Sequence, residues 1–111
     1  MKDYYQLIKM GNQENQVREI INVKFSCYND EVLSNTIFDF DKNCTIKEMI
    51  KEFNRRTKFE KNRSSFYGTQ FHYVYKGFPL KTNSKELIKD IFKDDENVTI
   101  IINVDYGCLI I

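Results

Sequence analysis

Four apolar residues, Ile46, Met49, Ile50 and Phe53, fall at i, i+3, i+4 and i+7, and this spacing most constrains what the chain can fold into. On a helix all four share one face, and Lys47, Glu48, Lys51 and Glu52 take the other. Thr45 marks the start. Its hydroxyl is spaced to accept the Glu48 N–H while the Glu48 carboxylate reaches back to Thr45, a reciprocal T-x-x-E capping box. Burying the four side chains is worth on the order of 6–12 kcal/mol, an upper bound because the unfolded chain already hides part of that area. A lone helix of this length is marginal in water. It needs an apolar surface to lie on, and the flanking segments supply one as strands.

Residues 21–27 alternate strictly, with Ile21, Val23 and Phe25 facing inward. Asn29, Asp30, Glu31, Ser34 and Asn35 bracket a turn. Residues 36–41 alternate again, Phe38 and Phe40 inward, so the two runs form a hairpin. After the helix, residues 58–70 lack a clear period and read as a basic, serine-containing loop broken by Gly68. Residues 71–75 are rich in strand formers. Lys76, Gly77, Phe78 and Pro79 turn the chain, Leu80 returns to the core, and Leu87, Ile91 and Phe92 suggest one helical turn. Residues 98–104 are apolar almost throughout, as suits a strand central in a sheet. The expected order is β-β-α-β-(short helix)-β, of the α+β class.

The chain has 111 residues, 41% of them hydrophobic, enough for one modest core. Its 17 Lys and Arg nearly balance 16 Asp and Glu, so charge does not point to nucleic acid, an anionic membrane or an acidic substrate. No apolar run reaches the roughly 18–20 residues of a membrane span, and the first residues lack the apolar core of a signal peptide. A cytoplasmic location is expected. Three cysteines without paired spacing read as reduced thiols. Residues 1–19 form a polar N-terminal extension in which Tyr4, Tyr5, Leu7, Ile8 and Met10 could fray or order against a partner.

Taken together these pieces resemble ubiquitin and its relatives, the β-grasp fold, over residues 20–104. The likeness rests on the first strand with Ile21, Val23 and Phe25, on Asp41, Lys42, Asn43, Cys44, Thr45 and Ile46 leading into the helix, and on the strand, glycine turn and core leucine of residues 73–80. Glu86, Leu87 and residues 97–104 match the late turn and closing strand. The resemblance implies a mixed sheet with one face wrapped on the helix and the other open. Alternation assigns Lys24, Ile37, His72, Val74, Ile101 and Asn103 to the open face, with the register of the last strand open by one residue. Relatives are read through an apolar patch on the third and last strands, which here falls on Val74 and Ile101. His72 rims it, and Phe78, standing where the family often has lysine, would enlarge it. Isolated exposed apolar residues are ordinary on soluble proteins; several together suggest a contact surface.

Little supports catalysis. His72 is the only histidine and has no matched acid beside it in sequence. No Cys/His spacing suits zinc, and no glycine-rich loop suits phosphate. No cofactor, metal or small-molecule substrate is expected. Cys44, just outside the helix N-terminus, reads as an exposed thiol of somewhat lowered pKa. Residues 55–63 interleave basic and aromatic side chains, as single-stranded nucleic-acid sites do, but a charge run is usually a solvated face and the chain as a whole is near neutral. Docking of an acidic protein partner is the more attractive reading, since this loop is longer than in ubiquitin itself. Residues 105–111 form a C-terminal tail. Gly107 stands alone where conjugated modifiers carry a glycine pair, so the less favoured reading as a conjugated modifier requires processing at Gly107. Cys108, Leu109, Ile110 and Ile111 fit the C-a-a-X prenylation pattern, similar to membrane-anchored ubiquitin-fold proteins, but without a polybasic tract upstream. The reading preferred is a non-catalytic, unconjugated module that binds protein partners in a larger assembly, membrane contact arising only through prenylated Cys108.

Overall fold

The computed structural model describes residues 19–64 and 68–106. The elements run β1 (Ile20–Cys27), α1 (Glu31–Ser34), β2 (Ile37–Asp41), α2 (Ile46–Thr57), α3 (Phe59–Arg63), β3 (Gln70–Tyr75), β4 (Phe78–Pro79), α4 (Ile88–Phe92) and β5 (Val98–Asp105). The sheet order is β2-β1-β5-β3-β4, with β1 and β5 parallel and the other neighbours antiparallel. β5 is therefore central, as its apolar run suggests. Only alternate residues of it are buried, though: Val98, Ile100 and Ile102 face the core and Thr99, Ile101 and Asn103 face outward.

The capping box of α2 forms as its sequence dictates. Thr45 Oγ1 accepts the Glu48 N–H at 3.0 Å, and the Thr45 N–H donates to Glu48 Oε1 at 2.9 Å. The remaining donors of the first turn find partners across the fold. The Ile46 N–H donates to the Glu86 carbonyl and the Lys47 N–H to the Ser84 carbonyl, at 2.9 and 3.0 Å. No amide at this helix end is stranded, and the entry to α4 is thereby fixed against the start of α2. Ile46, Met49, Ile50 and Phe53 are all buried. Phe53 stacks on Phe25 of β1, ring centroids 3.9 Å apart, and Phe38 and Tyr73 meet Phe53 edge-on. The aromatic contacts add specific geometry to the burial that holds helix and sheet together.

Three local features depart from the sequence expectations. The turn between the first two strands contains α1, capped by Asp30, whose Oδ1 accepts the Leu33 N–H at 3.0 Å, and anchored by buried Leu33. The supposed loop of residues 58–70 begins with a helix. Lys58, held left-handed at φ +56°, ends α2 and lets the chain restart as α3, whose Phe59 is only 2% exposed. The sheet also has a fifth, two-residue strand. Lys76 and Gly77 both take positive φ (+50° and +84°), the conformation of a two-residue hairpin turn, so the chain past the turn pairs back on β3.

A polar network ties the helix pair to β3. Tyr73 Oη donates to Glu60 Oε2 at 2.6 Å, Asn54 Nδ2 donates to Tyr73 Oη at 2.9 Å, and the Glu60 N–H donates to Asn54 Oδ1 at 3.0 Å. Burial first, and then the Glu60 contact, push the Tyr73 hydroxyl's pKa well above the ordinary value. It stays a neutral donor. The sequence expectations for Tyr4, Tyr5, Leu7, Ile8, Met10, Gly107 and Cys108 lie outside the described residues.

Candidate docking face

Strand alternation gives the sheet two faces, and the helices cover one of them. On the other, pairing places side chains opposite one another in rows. Ile101 of β5 lies opposite Val74 of β3 on one side and Ser26 of β1 on the other. Val74 in turn lies opposite Pro79 of β4. The result is a row across four strands, Ser26, Ile101, Val74 and Pro79, with three apolar members. Ile101 is 50% exposed, Pro79 is exposed and Val74 half-buried. The adjacent rows are more polar. Asn103 lies opposite His72 on one side, and on the other Lys24 lies between Ile37 and Thr99.

Of the residues expected on this face, Val74 and Ile101 are brought into direct opposition, and His72 stands in the next row. Phe78 is different. It is 74% exposed, but it pairs with Tyr75, whose side chain is buried on the core side. Parity thus sets Phe78 off the row at the edge strand, and Pro79 takes the place expected of it. The two-residue turn fixes this register, and Lys-Gly at its centre was the signal available in the sequence.

Tyr28 stands beyond the reach of the strand's alternation. It follows the last residue of β1, is 89% exposed, and borders a groove of about 360 Å³ with Ser26, Ile101, Asn103 and Tyr106. Its alternation is cut off by the turn at Asn29, whose φ is +63°, so a period-2 pattern could not assign it to a face. A second hollow, of about 320 Å³, lies between Lys24, Ile37 and Thr99 and the Glu96–Asn97 approach to β5.

The basic segment of residues 55–63 does not offer what its sequence suggested. Arg55 donates to both Glu52 carboxylate oxygens, at 2.8 and 2.6 Å, and Arg56 to one of them at 2.7 Å. Arg63 pairs with Asp30 and lies over the Phe59 ring, 4.1 Å from its centroid. Phe59 is buried and so has no face for a base to stack on. Arg55 and Arg56 share the single Glu52 carboxylate and Arg63 takes Asp30, so three of the five cations are engaged within the chain although the segment keeps a positive excess. The hydrogen bond from Arg55, followed by those from Arg56, holds the Glu52 carboxyl down at about 2.

Cys44 also differs from expectation. It is half-buried against the core, and burial pushes its thiol up to about 11, with the Glu48 and Asp41 carboxylates adding to the rise. Desolvation and two anions outweigh the helix dipole here. Among the described residues no group of three His, Cys, Asp or Glu is placed to hold a metal ion.

No family model and no curated protein matches the chain. Solved structures do. One, from work on molecular mimicry of SUMO that promotes DNA repair, superposes with a TM-score of 0.53 at 15% identity, covering 82% of this chain and 99% of its own. The UBL domain of yeast Ddi1 gives 0.51 at 14% identity, over 79% of this chain and 94% of its own. The N-terminal ubiquitin-like domain in the 4931431F19Rik protein gives 0.52 at 14% identity, over 91% of each chain. The fold is ubiquitin-like. Identities this low establish architecture alone, so what a ubiquitin-like chain does here must be argued from its own surface. In this ubiquitin-like sheet the row through Ile101 and Val74 lies at the centre of the uncovered face.

Proposed function

We propose that the chain is a non-catalytic, ubiquitin-like interaction module that binds protein partners through its open sheet face, as a small subunit or adaptor of a larger assembly. The observation that carries this reading is the row of Ile101, Val74 and Pro79, contiguous across three strands and flanked by Lys24, Thr99, His72 and Asn103. An apolar centre with a polar rim is the anatomy of a protein interface, because the centre gains by leaving water and the rim tolerates it. Tyr28 at one end adds an aromatic side chain of the kind that dominates such contacts.

The test is affinity capture from the native source with the wild-type chain and with Val74→Asp/Ile101→Asp. Both positions project from an open face, so the double variant is expected to stay folded, with an unfolding temperature lowered by two carboxylates in direct opposition, while capturing none of the wild-type partners. Partners retained by a folded double variant would move the contact to another surface.

A further inference from the structure

Phe78 lies opposite Tyr75 and so belongs by parity to the side of the sheet that the helices cover. Tyr75 is covered: its ring packs edge-on against Phe92 of α4, centroids 4.7 Å apart, and it is 8% exposed. The cover stops there, because Phe78 in the same rung is 74% exposed. Pro79, next along β4, is exposed on the opposite, open side. The hairpin thus closes the sheet with an apolar group on each side of a two-residue strand. A partner seated on the row of Ile101, Val74 and Pro79 meets this edge where the row ends.

Backbone and charge narrow what can take up that edge. The Tyr75–Phe78 rung flanks a two-residue turn, and the Leu80 N–H donates to the Tyr73 carbonyl at 2.7 Å. By alternation Pro79 is then the residue of β4 whose backbone turns outward, and proline has no N–H. A strand added there finds no donor, so the edge is recognised through side chains, and a pocket is the matching shape. The charge around it has one sign. Residues 76–85 contain Lys76, Lys81 and Lys85 and no Asp or Glu. Lys76 approaches Asp95 at 3.7 Å, and exposed Lys81 has no ion pair among the described residues. Lys76 and Lys81 bracket Phe78 and Pro79, and carboxylates at the rim of an apolar pocket complement that arrangement.

We propose that the protein partner held on the open face reaches round the β4 edge and takes the Phe78 ring into an apolar pocket rimmed by Asp or Glu, those carboxylates facing Lys76 and Lys81. Phe78 is then an anchor of the contact, although it stands off the apolar row. The contact rests on the docking role of the open face and adds the chemistry of the partner to it.

Benzoyl-phenylalanine placed at position 78 of the full chain, and in a parallel chain at position 74, tests this in the native cell. On irradiation both positions are expected to join the same protein. Lys81→Glu is expected to lower the adduct yield at 78 about tenfold, since like charges then meet at the rim, and Lys81→Arg to leave it unchanged. With the probe at 74, Phe78→Ser is expected to lower the yield about tenfold, as loss of an anchoring aromatic does. Both Phe78 and Lys81 are exposed, so these variants keep the fold. No adduct at 78, an adduct to a different protein, or a yield unmoved by Lys81→Glu or by Phe78→Ser would overturn the proposal. Adducts at 74 with none at 78 would sink the Phe78 contact alone, whereas adducts at neither would remove the docking face with it.

Discussion

At the scale of single residues, Cys44 and Glu52 show how neighbours decide chemistry that a sequence position leaves open. A thiol near a helix N-terminus is ordinarily made more acidic, yet Cys44 sits half-buried beside Glu48 and Asp41 and rises from an ordinary 9.0 to about 11. A rise of that size lowers the thiolate fraction about a hundredfold at mildly alkaline pH. Alkylation of Cys44 at pH 8, followed by mass spectrometry, should therefore be slower by about that factor in the folded chain than in urea. Equal rates would contradict the burial. Glu52 is moved the other way by its two arginines, from an ordinary 4.5 to about 2. A carboxyl whose folded value is depressed stabilises the fold above its unfolded value, and the contribution fades as pH falls from about 4.5 toward 2. The pair is exposed enough for solvent to screen it, so the expected size is about 0.5 kcal/mol. Urea denaturation at pH 6 and pH 3 should show Glu52→Gln losing less stability on acidification than the wild type by more than half of that amount, since pH 3 lies within the window.

Among elements, α3 separates what periodicity reveals from what it hides. Residues 46–53 repeat their apolar positions over two turns, so α2 and its cap were legible. The strands were legible for the same reason, through Ile21, Val23 and Phe25 and through Phe38 and Phe40. In α3 a single aromatic, Phe59, fixes five residues, and one apolar position has no period to detect. Its ring meets Phe53 of α2 at 5.7 Å and Phe71 of β3, twelve residues on, at 5.9 Å. α1, whose one buried residue is Leu33, has no apolar period for the same reason. Phe59→Ala should then cost about 3–5 kcal/mol in chemical denaturation, as expected for truncating a buried aromatic ring. A surface loop residue would cost less than about 0.5 kcal/mol. In the candidate site, alternation found Val74 and Ile101, but register set their opposition, replaced Phe78 with Pro79, and brought Tyr28 to the groove.

The molecule as a whole is organised by having one covered and one uncovered sheet face. The core, from Phe25 and Phe53 through Tyr73 to Ile100, lies entirely on the covered side. Substitutions on the outer side are thus expected to change recognition at a far smaller cost in stability than substitutions in the core. Core substitutions will do the reverse. The most direct measurement replaces Val74 with a photo-crosslinking amino acid and, in a parallel chain, does the same at Lys51 on the exposed side of α2. Irradiation in the native cell should join partner proteins to position 74 and leave position 51 without adducts. Adducts at 51 with none at 74 would show that the helical side is the one recognised, and the proposed role of the open face would fall.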